Sequence, residues 1–315
     1  MPSEQEILKL IRKLTPNSTK FLSDDAAIIE KSLVVTTDTL VENTHFTLKT
    51  YTPKEIGYKA IAVNLSDIAA MGAKPLYALV ALSLPKSIKL PWIQDLYKGF
   101  IGCSKKYKIQ IIGGNLTRAK EINISITLIG KTSSINIAKR SNAKPGDIVF
   151  VTNTFGDSTC GLLLLNNHKL KDTRLAQSLI KNHKLPNPQI NLGQKIVKFS
   201  KRAALMDASD GLADCILQIS KESNVKIIID EDKIPISNNT KLATQLLNKD
   251  PLDLALYGGE DYQLVGTMSL NDIRKIKGLK VVGKVFKGQG SFIHKQNGAI
   301  LKINPSNIFK HFSDN

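Results

Sequence analysis

Residues 60–73 read AIAVNLSDIAAMGA, a run of small and apolar side chains broken by Asn64, Ser66 and Asp67. Burying a lone carboxylate costs several kcal/mol unless it is paired, hydrogen-bonded or bound to a metal. Ser and Asp also begin many helices, so a helix cap is the simplest role for Asp67. Just upstream, Thr52-Pro53-Lys54-Glu55 has the form of a capping box with Pro at the first helical position, predicting a helix to residue 63 or beyond. The choice between cap and ligand for Asp67 rests on the acids elsewhere in the chain.

Helix and strand patterns alternate around this stretch, which gives a mixed α/β class. Residues 33–37 (LVVTT) read as a buried strand ending at Asp38, and Tyr77–Leu84 alternates as a strand does. Helical periodicity runs from Pro91 to about Lys106, followed by strand Ile109–Ile112, which leads into Gly113-Gly114, and by strand Ile122–Lys131. The Pro-Gly turn in SNAKPGD, 141–147, marks a boundary between two domains, 1–138 and 139–315. Beyond it come strand 148–152, helix 158–165, a polar stretch 166–187, a helix from Pro188, strand 203–206 and a helix after Asp210. Strands 225–230, 262–267 and 280–286 complete the pattern. At the other end, Ser3 with Glu6 forms a capping box that opens an amphipathic helix. No fixed-period repeat is present, and the likeness of LSDIAA (65–70) to ASDGLA (208–213) is too short to establish duplication.

With 315 residues the chain can bury a large core. Its net charge of +17 raises the question of nucleic acid. Six of the 44 basic residues are Arg, however, and the lysines are spread along the whole sequence. Arginine base readout and interleaved aromatic platforms are missing, so the excess reads as a lysine-solvated surface, with no nucleic-acid partner. No apolar run approaches the roughly 20 residues of a membrane helix. The start, MPSEQEILKLIRKL, lacks the unbroken apolar segment of a signal peptide. Cys103, Cys160 and Cys215 are odd in number, far apart and set among apolar residues, as expected of buried thiols in the cytoplasm.

The acids carry the functional signal. Asp24 and Asp25 precede AAII, Asp38 ends a strand, Asp207, Asp210 and Asp214 occupy MDASDGLADC, and Glu260-Asp261 follow Gly258-Gly259. Each group adjoins a strand end or a glycine turn, where α/β proteins place ligands. Oxygen-only clusters beside the hydroxyls of Thr36, Thr37, Ser66 and Ser209 favour a hard cation such as Mg2+. The five histidines are scattered and lack zinc-ligand spacing. GGNLTR at 113–118 offers glycines for close backbone approach to phosphate and a cation in Arg118; Arg140 adds a second. IGKT at 129–132 is no Walker loop, because Ser125 stands where the first glycine is required. A divalent ion with anionic phosphates makes an Asp in apolar surroundings favourable, which answers the question posed by Asp67.

The ordered set SDDAAII, TTDTLVENTHF, YKAIAVNLSDIAAMGAKP, GGNLTR, RSNAKPGD, GDS, MDASDGL and GGEDYQL resembles the thiamine-monophosphate kinase family from about residue 21 to residue 286. That family belongs to the ATP-binding superfamily of aminoimidazole ribonucleotide synthetase and selenophosphate synthetase. The resemblance implies an N-terminal α/β domain whose strands build a barrel across a homodimer, and a C-terminal α/β domain that completes the active site. It implies transfer of the ATP γ-phosphoryl group to thiamine monophosphate, with several Mg2+ ions. Carried over to this sequence, Asp25, Asp38, Asp67, Asp207 and Asp210 are Mg2+ ligands, with oxygens from Thr36 and Thr37. Gly114, Asn115, Arg140 and Ser209 match nucleotide-binding positions; His45, Glu260 and Phe309 match substrate-binding positions. Asp67, Arg140 and Asp210 fall at the reacting phosphates.

Three positions depart from the family pattern. Asn115 stands where the family has an Asp that ligates Mg2+, and Ser23 and Ala119 each replace a Gly. Asn keeps a carbonyl oxygen and loses a charge, so weaker binding of one metal is expected. The alternative is another ATP-dependent synthetase of the superfamily. A selenophosphate synthetase is expected to carry a reactive Cys near its N-terminus, whereas the first here is Cys103. An aminoimidazole ribonucleotide synthetase is not expected to contain DTLVENTHF.

Overall fold

The computed structural model describes residues 4–15, 23–132 and 137–308; Ser3 of the predicted first capping box and Phe309 lie outside them. Helix α1 (Glu4–Leu14) is followed by β1 (Ala27–Ile29), β2 (Leu33–Val41), α2 (Pro53–Ala70), β3 (Lys74–Leu84), α3 (Leu90–Tyr107), β4 (Gln110–Arg118) and β5 (Asn123–Lys131). The five strands form one sheet in the order β1-β2-β5-β3-β4. Only β3 and β4 pair in parallel, with α3 as their crossover.

Helix α2 carries the opening stretch and organises the molecule. Its capping box is formed: the Thr52 hydroxyl accepts from the Glu55 N–H, and the Glu55 carboxylate accepts from the Thr52 N–H at 2.8 Å. Small and apolar residues surround its axis, and 13 of its 18 residues are buried, as expected for a helix covered on all sides. It packs against β2, β5 and α3 in its own half, and against α6 (Ile190–Phe199) and β7 (Ala204–Asp207) of the second half. Gly72, at φ +64°, turns the chain sharply from α2 into β3.

The second half also contains β6 (Ile148–Thr152), α4 (Asp157–Leu165), α5 (Arg174–Lys184), α7 (Leu212–Ser223), β8 (Lys226–Asp230), α8 (Asn238–Leu247), α9 (Pro251–Tyr257), β9 (Leu264–Met268), α10 (Leu270–Ile273), β10 (Leu279–Phe286), β11 (Gly290–His294) and β12 (Ile300–Lys302). Its seven strands are ordered β12-β11-β8-β10-β6-β9-β7. Helix α7 buries Leu212, Ile216 and Ile219 in the same core as Val151, Ile227 and Val265 of this sheet. No helix among the described residues is long and apolar enough to cross a membrane.

Several local expectations are corrected. Asp67 lies in the last turn of α2 and caps nothing. Asp38 sits inside β2, which continues to Val41 because β5 pairs with it along its whole length. Gly113 and Gly114 are strand residues within β4 and form no loop; a Cβ on Gly114 would lie 1.8 Å from the Val80 carbonyl oxygen, so only glycine permits the approach of β3. The polar stretch 166–187 contains α5, whose buried stripe is Ala176, Leu179, Ile180 and His183. Strands β1, β11 and β12 and helices α8, α9 and α10 were not expected.

Candidate active site

Three carboxylates converge from distant parts of the chain. Asp25 precedes β1, Asp67 lies in the last turn of α2 and Asp207 ends β7, and one oxygen of each lies within 4.8 Å of the others. At such a separation two unit charges repel by about 4 kcal/mol for an effective dielectric near 20. Burial, reinforced by the neighbouring acids, pushes Asp67 and Asp207 well above the usual carboxylate range. Asp38 is raised as well, by burial first and then by Asp210 and Asp25.

The compensation within the protein is partial. The Thr36 hydroxyl donates to Asp67 Oδ2 at 2.6 Å, and Arg140 Nη2 donates to Asp25 Oδ1 at 2.7 Å. The Arg140 backbone N–H donates to Asp24 Oδ1 at 2.9 Å, which fixes the start of the second half against the first. Burial acts to lower the Arg140 pKa, and Asp25 more than reverses it. Asp25 Oδ2 is buried without a hydrogen-bond partner among the described residues. An orphaned carboxylate oxygen amid an all-oxygen ligand set is what a hard divalent cation fits, so these residues suit Mg2+.

Strand alternation separates the expected ligands. Thr36 and Asp38 share the face of β2 that meets α2, where the Asp38 N–H donates to Asn64 Oδ1 at 3.0 Å. Thr37 is on the opposite face and exposed; its hydroxyl donates to the Ile126 carbonyl at 3.1 Å. Gly114 and Asn115 are also exposed, on the edge strand β4, away from the three acids. Within one chain, therefore, Thr37, Gly114 and Asn115 stand apart from Asp25, Asp67 and Asp207.

A cavity of about 530 Å³ opens between the two halves and gathers most of the remaining candidates: Asp38, Asp67, Asp207, Ser209, Asp210, His45 and Glu260 all line it. His45 Nδ1 accepts from the Val41 N–H at 3.0 Å. Glu260 stands on a backbone at φ +65°, and its N–H donates to the Ser209 carbonyl at 2.6 Å. The adjacent Asp261 accepts from the N–H groups of Gly156 at 2.7 Å and Ser158 at 3.0 Å, holding the start of α4; burial pushes it up to about 7.

Two groups absent from the expected site residues stand at this wall: Lys59 behind it and His183 in its lining. Lys59 of α2 is fully buried, with Nζ 2.8 Å from Glu260 Oε1 and 3.2 Å from the Tyr51 hydroxyl. His183 Nδ1 lies 3.3 Å from Glu260 Oε2, and burial together with Lys59 lowers the His183 pKa to about 3. Burial alone would raise Glu260 and lower Lys59; each reverses the other, so Glu260 is held below its ordinary value and Lys59 above its own.

Family models described as AIR synthase related protein, N-terminal domain, and AIR synthase related protein, C-terminal domain, match residues 23–132 and 144–294. A thiamine-monophosphate kinase of Aquifex aeolicus (strain VF5) is 36% identical over 309 residues, covering 97% of each chain. The chain belongs to the thiamine-monophosphate kinase family. A second family member, from Bacillus subtilis (strain 168), is 38% identical over 285 residues and covers 85% of each chain. The solved structure described as "AaThiL complexed with AMPPCP and TMP" matches with a TM-score of 0.89 at 35% identity, covering 98% of this chain and 97% of its own. The two-part α/β architecture is that of this family.

Proposed function

We propose that the chain transfers the γ-phosphoryl group of ATP to the phosphate of thiamine monophosphate, giving thiamine diphosphate, with Mg2+ as cofactor. The observation that carries this reading is the convergence of Asp25, Asp67 and Asp207, with its orphaned Asp25 oxygen, beside a cavity of about 530 Å³. Asp25, Asp38, Asp67, Asp207 and Asp210 hold the ions, with Thr36 setting the orientation of Asp67. When bound, Mg2+ supplies charge neutralisation and alignment of the phosphates, the main requirements of phosphoryl transfer.

The remaining roles belong to the protein's own groups. Arg140 fixes Asp25 and adds positive charge; with Ser209, Gly114 and Asn115 it binds the nucleotide. His45, Glu260 and Phe309 receive thiamine monophosphate. The acceptor phosphate oxygen is already deprotonated near neutral pH, so no general base is needed, and transfer is direct and in line, without a phosphoenzyme. Residues 1–138 carry the nucleotide and metal ligands, and residues 139–315 complete the site. The enzyme works as a homodimer in which N-terminal strands of two copies close a barrel. This reading is supported by the open edge of β4, where Ile112 is 50% and Leu116 72% exposed, and by the exposure of Thr37, Gly114 and Asn115, which a second copy would cover. Buried, unpaired Cys103, Cys160 and Cys215 support a cytoplasmic setting.

The test is to incubate the protein with ATP, Mg2+ and thiamine monophosphate. Formation of thiamine diphosphate, abolished by a chelator and with no phosphate retained on the protein, is the expected outcome. ATP consumption that leaves thiamine monophosphate untouched would point instead to another synthetase of the superfamily.

A further inference from the structure

We propose that Lys59 is a positioning residue: sealed behind Glu260, it holds that carboxylate at the cavity wall as a fixed acceptor for the aminopyrimidine end of thiamine monophosphate. The proposal deepens, and rests on, the functional reading above.

The geometry separates the two charges. The Lys59 side chain is 0% exposed and the Glu260 side chain 26% exposed, with 2.8 Å between Nζ and Oε1. A molecule entering the cavity therefore meets the carboxylate and not the ammonium. Lys59 is held in turn by the Tyr51 hydroxyl at 3.2 Å, and its Nζ lies 5.4 Å from the centre of the Tyr51 ring. On the other side His183 Nδ1 lies 3.3 Å from Glu260 Oε2, and Lys184, with its Nζ 5.1 Å from the centre of the Tyr51 ring, is paired with Glu55.

The backbone gives an independent sign of a fixed function. Glu260 occupies the left-handed region at φ +65°, uncommon for a residue with a side chain, and Gly259 before it packs so close to the Ser209 carbonyl that a Cβ would sit 2.7 Å from the oxygen. The turn is thus imposed by its surroundings, and it presents the Glu260 carboxylate beside Ser209 and Asp210 on the cavity wall.

Charge then assigns the ends of the substrate. On the functional reading above, phosphate goes to the Mg2+ that Asp25, Asp67 and Asp207 would hold. Glu260 belongs to no such cluster among the described residues; Lys59 meets its Oε1 at 2.8 Å and His183 its Oε2 at 3.3 Å, so it does not add to the metal-ligand set. The organic end of thiamine monophosphate carries a cationic thiazolium and an aminopyrimidine with N–H donors, the complement of a fixed carboxylate. Because Lys59 comes from α2 and Glu260 from the second half, the pair also sets the spacing of the two cavity walls.

The experiment compares two ligands: thiamine monophosphate as substrate, and its phosphorylated N-methylthiazolium fragment, which keeps the cation and lacks the aminopyrimidine, as competitive inhibitor. They are measured with the wild-type protein, Lys59→Met, Glu260→Gln and the double variant. In Lys59→Met the KM for thiamine monophosphate is expected to rise by about tenfold or more, while the inhibition constant of the fragment and the KM for ATP change by less than about threefold. Glu260→Gln, which keeps the shape of the site, should show the same selective loss, and the double variant should be no worse than either alone. Equal weakening of both ligands, or no weakening, in Lys59→Met would reduce Lys59 to a structural residue and overturn the proposal. Should Lys59→Met fail to fold, Glu260→Gln decides by the same comparison. A wild-type protein that makes no thiamine diphosphate would instead defeat the underlying functional reading, and this proposal with it.

Discussion

Two buried ionic clusters face the same cavity and differ in how their charge is met. At one, Asp25, Asp67 and Asp207 crowd together with the Arg140 guanidinium on Asp25, and one acid oxygen has no partner among the described residues. At the other, Lys59 and Glu260 balance one another and His183 is kept neutral. The first keeps like charges close together with partial compensation, whereas in the second each charge has its counterpart. Among the described residues the cation paired with the three-acid cluster is Arg140, on Asp25.

The largest expected effect lies at the three-acid cluster. Asp67→Asn should lower turnover by at least about a hundredfold, the scale of losing a preorganised electrostatic group. Near-normal turnover would remove Asp67 from the metal site. Next, Leu116→Asp on the open edge of β4 should convert a dimer into monomers in sedimentation and cost about tenfold in activity, by burying a charge in the pairing surface. An unchanged oligomer would dispose of the barrel arrangement.

The balanced cluster makes a prediction about pH. The folded protein lowers the His183 pKa from 6.5 to about 3, so the folded state favours the neutral ring. This stability is fully present above pH 6.5 and is lost as pH falls toward 3, because the unfolded chain takes up a proton that the folded chain refuses. Between pH 6 and 4 the slope from this one group is about 1.4 kcal/mol per pH unit. Urea unfolding of His183→Asn should show a shallower slope by about that amount; parallel slopes would mean that His183 is not held neutral. The smallest effect is expected for Asn115→Asp, which restores a charge on β4 and should lower the half-saturating Mg2+ concentration severalfold. An identical Mg2+ titration would count against Asn115 as a ligand.

Asp67 was legible because a carboxylate in an apolar helix is costly, and the same reasoning applied one residue before the opening stretch marks Lys59. The reading passed over it because lysines are everywhere in this chain; only burial sets this one apart. His183 had no local signal, lying in a polar helix whose partners are far away in sequence. LSDIAA and ASDGLA look alike, yet Asp67 ends a helix and Asp210 stands in the turn before α7, so six residues of likeness gave no shared conformation. The strand was expected to run only to Ile112 because glycine usually breaks strands; it continues through Gly113-Gly114 to Arg118, and the crowding of β3 requires the glycine at 114. Strand alternation, which placed Thr37 and Asp38 on opposite faces, was available in the sequence and was not applied.

The central claim, that these acids share divalent ions, is tested most directly by crystals grown with Mn2+ and a non-hydrolysable ATP analogue, measured at the manganese absorption edge. An anomalous peak among the carboxylates of Asp25, Asp67 and Asp207 is the predicted result. Bound nucleotide with no manganese at those three side chains would contradict it.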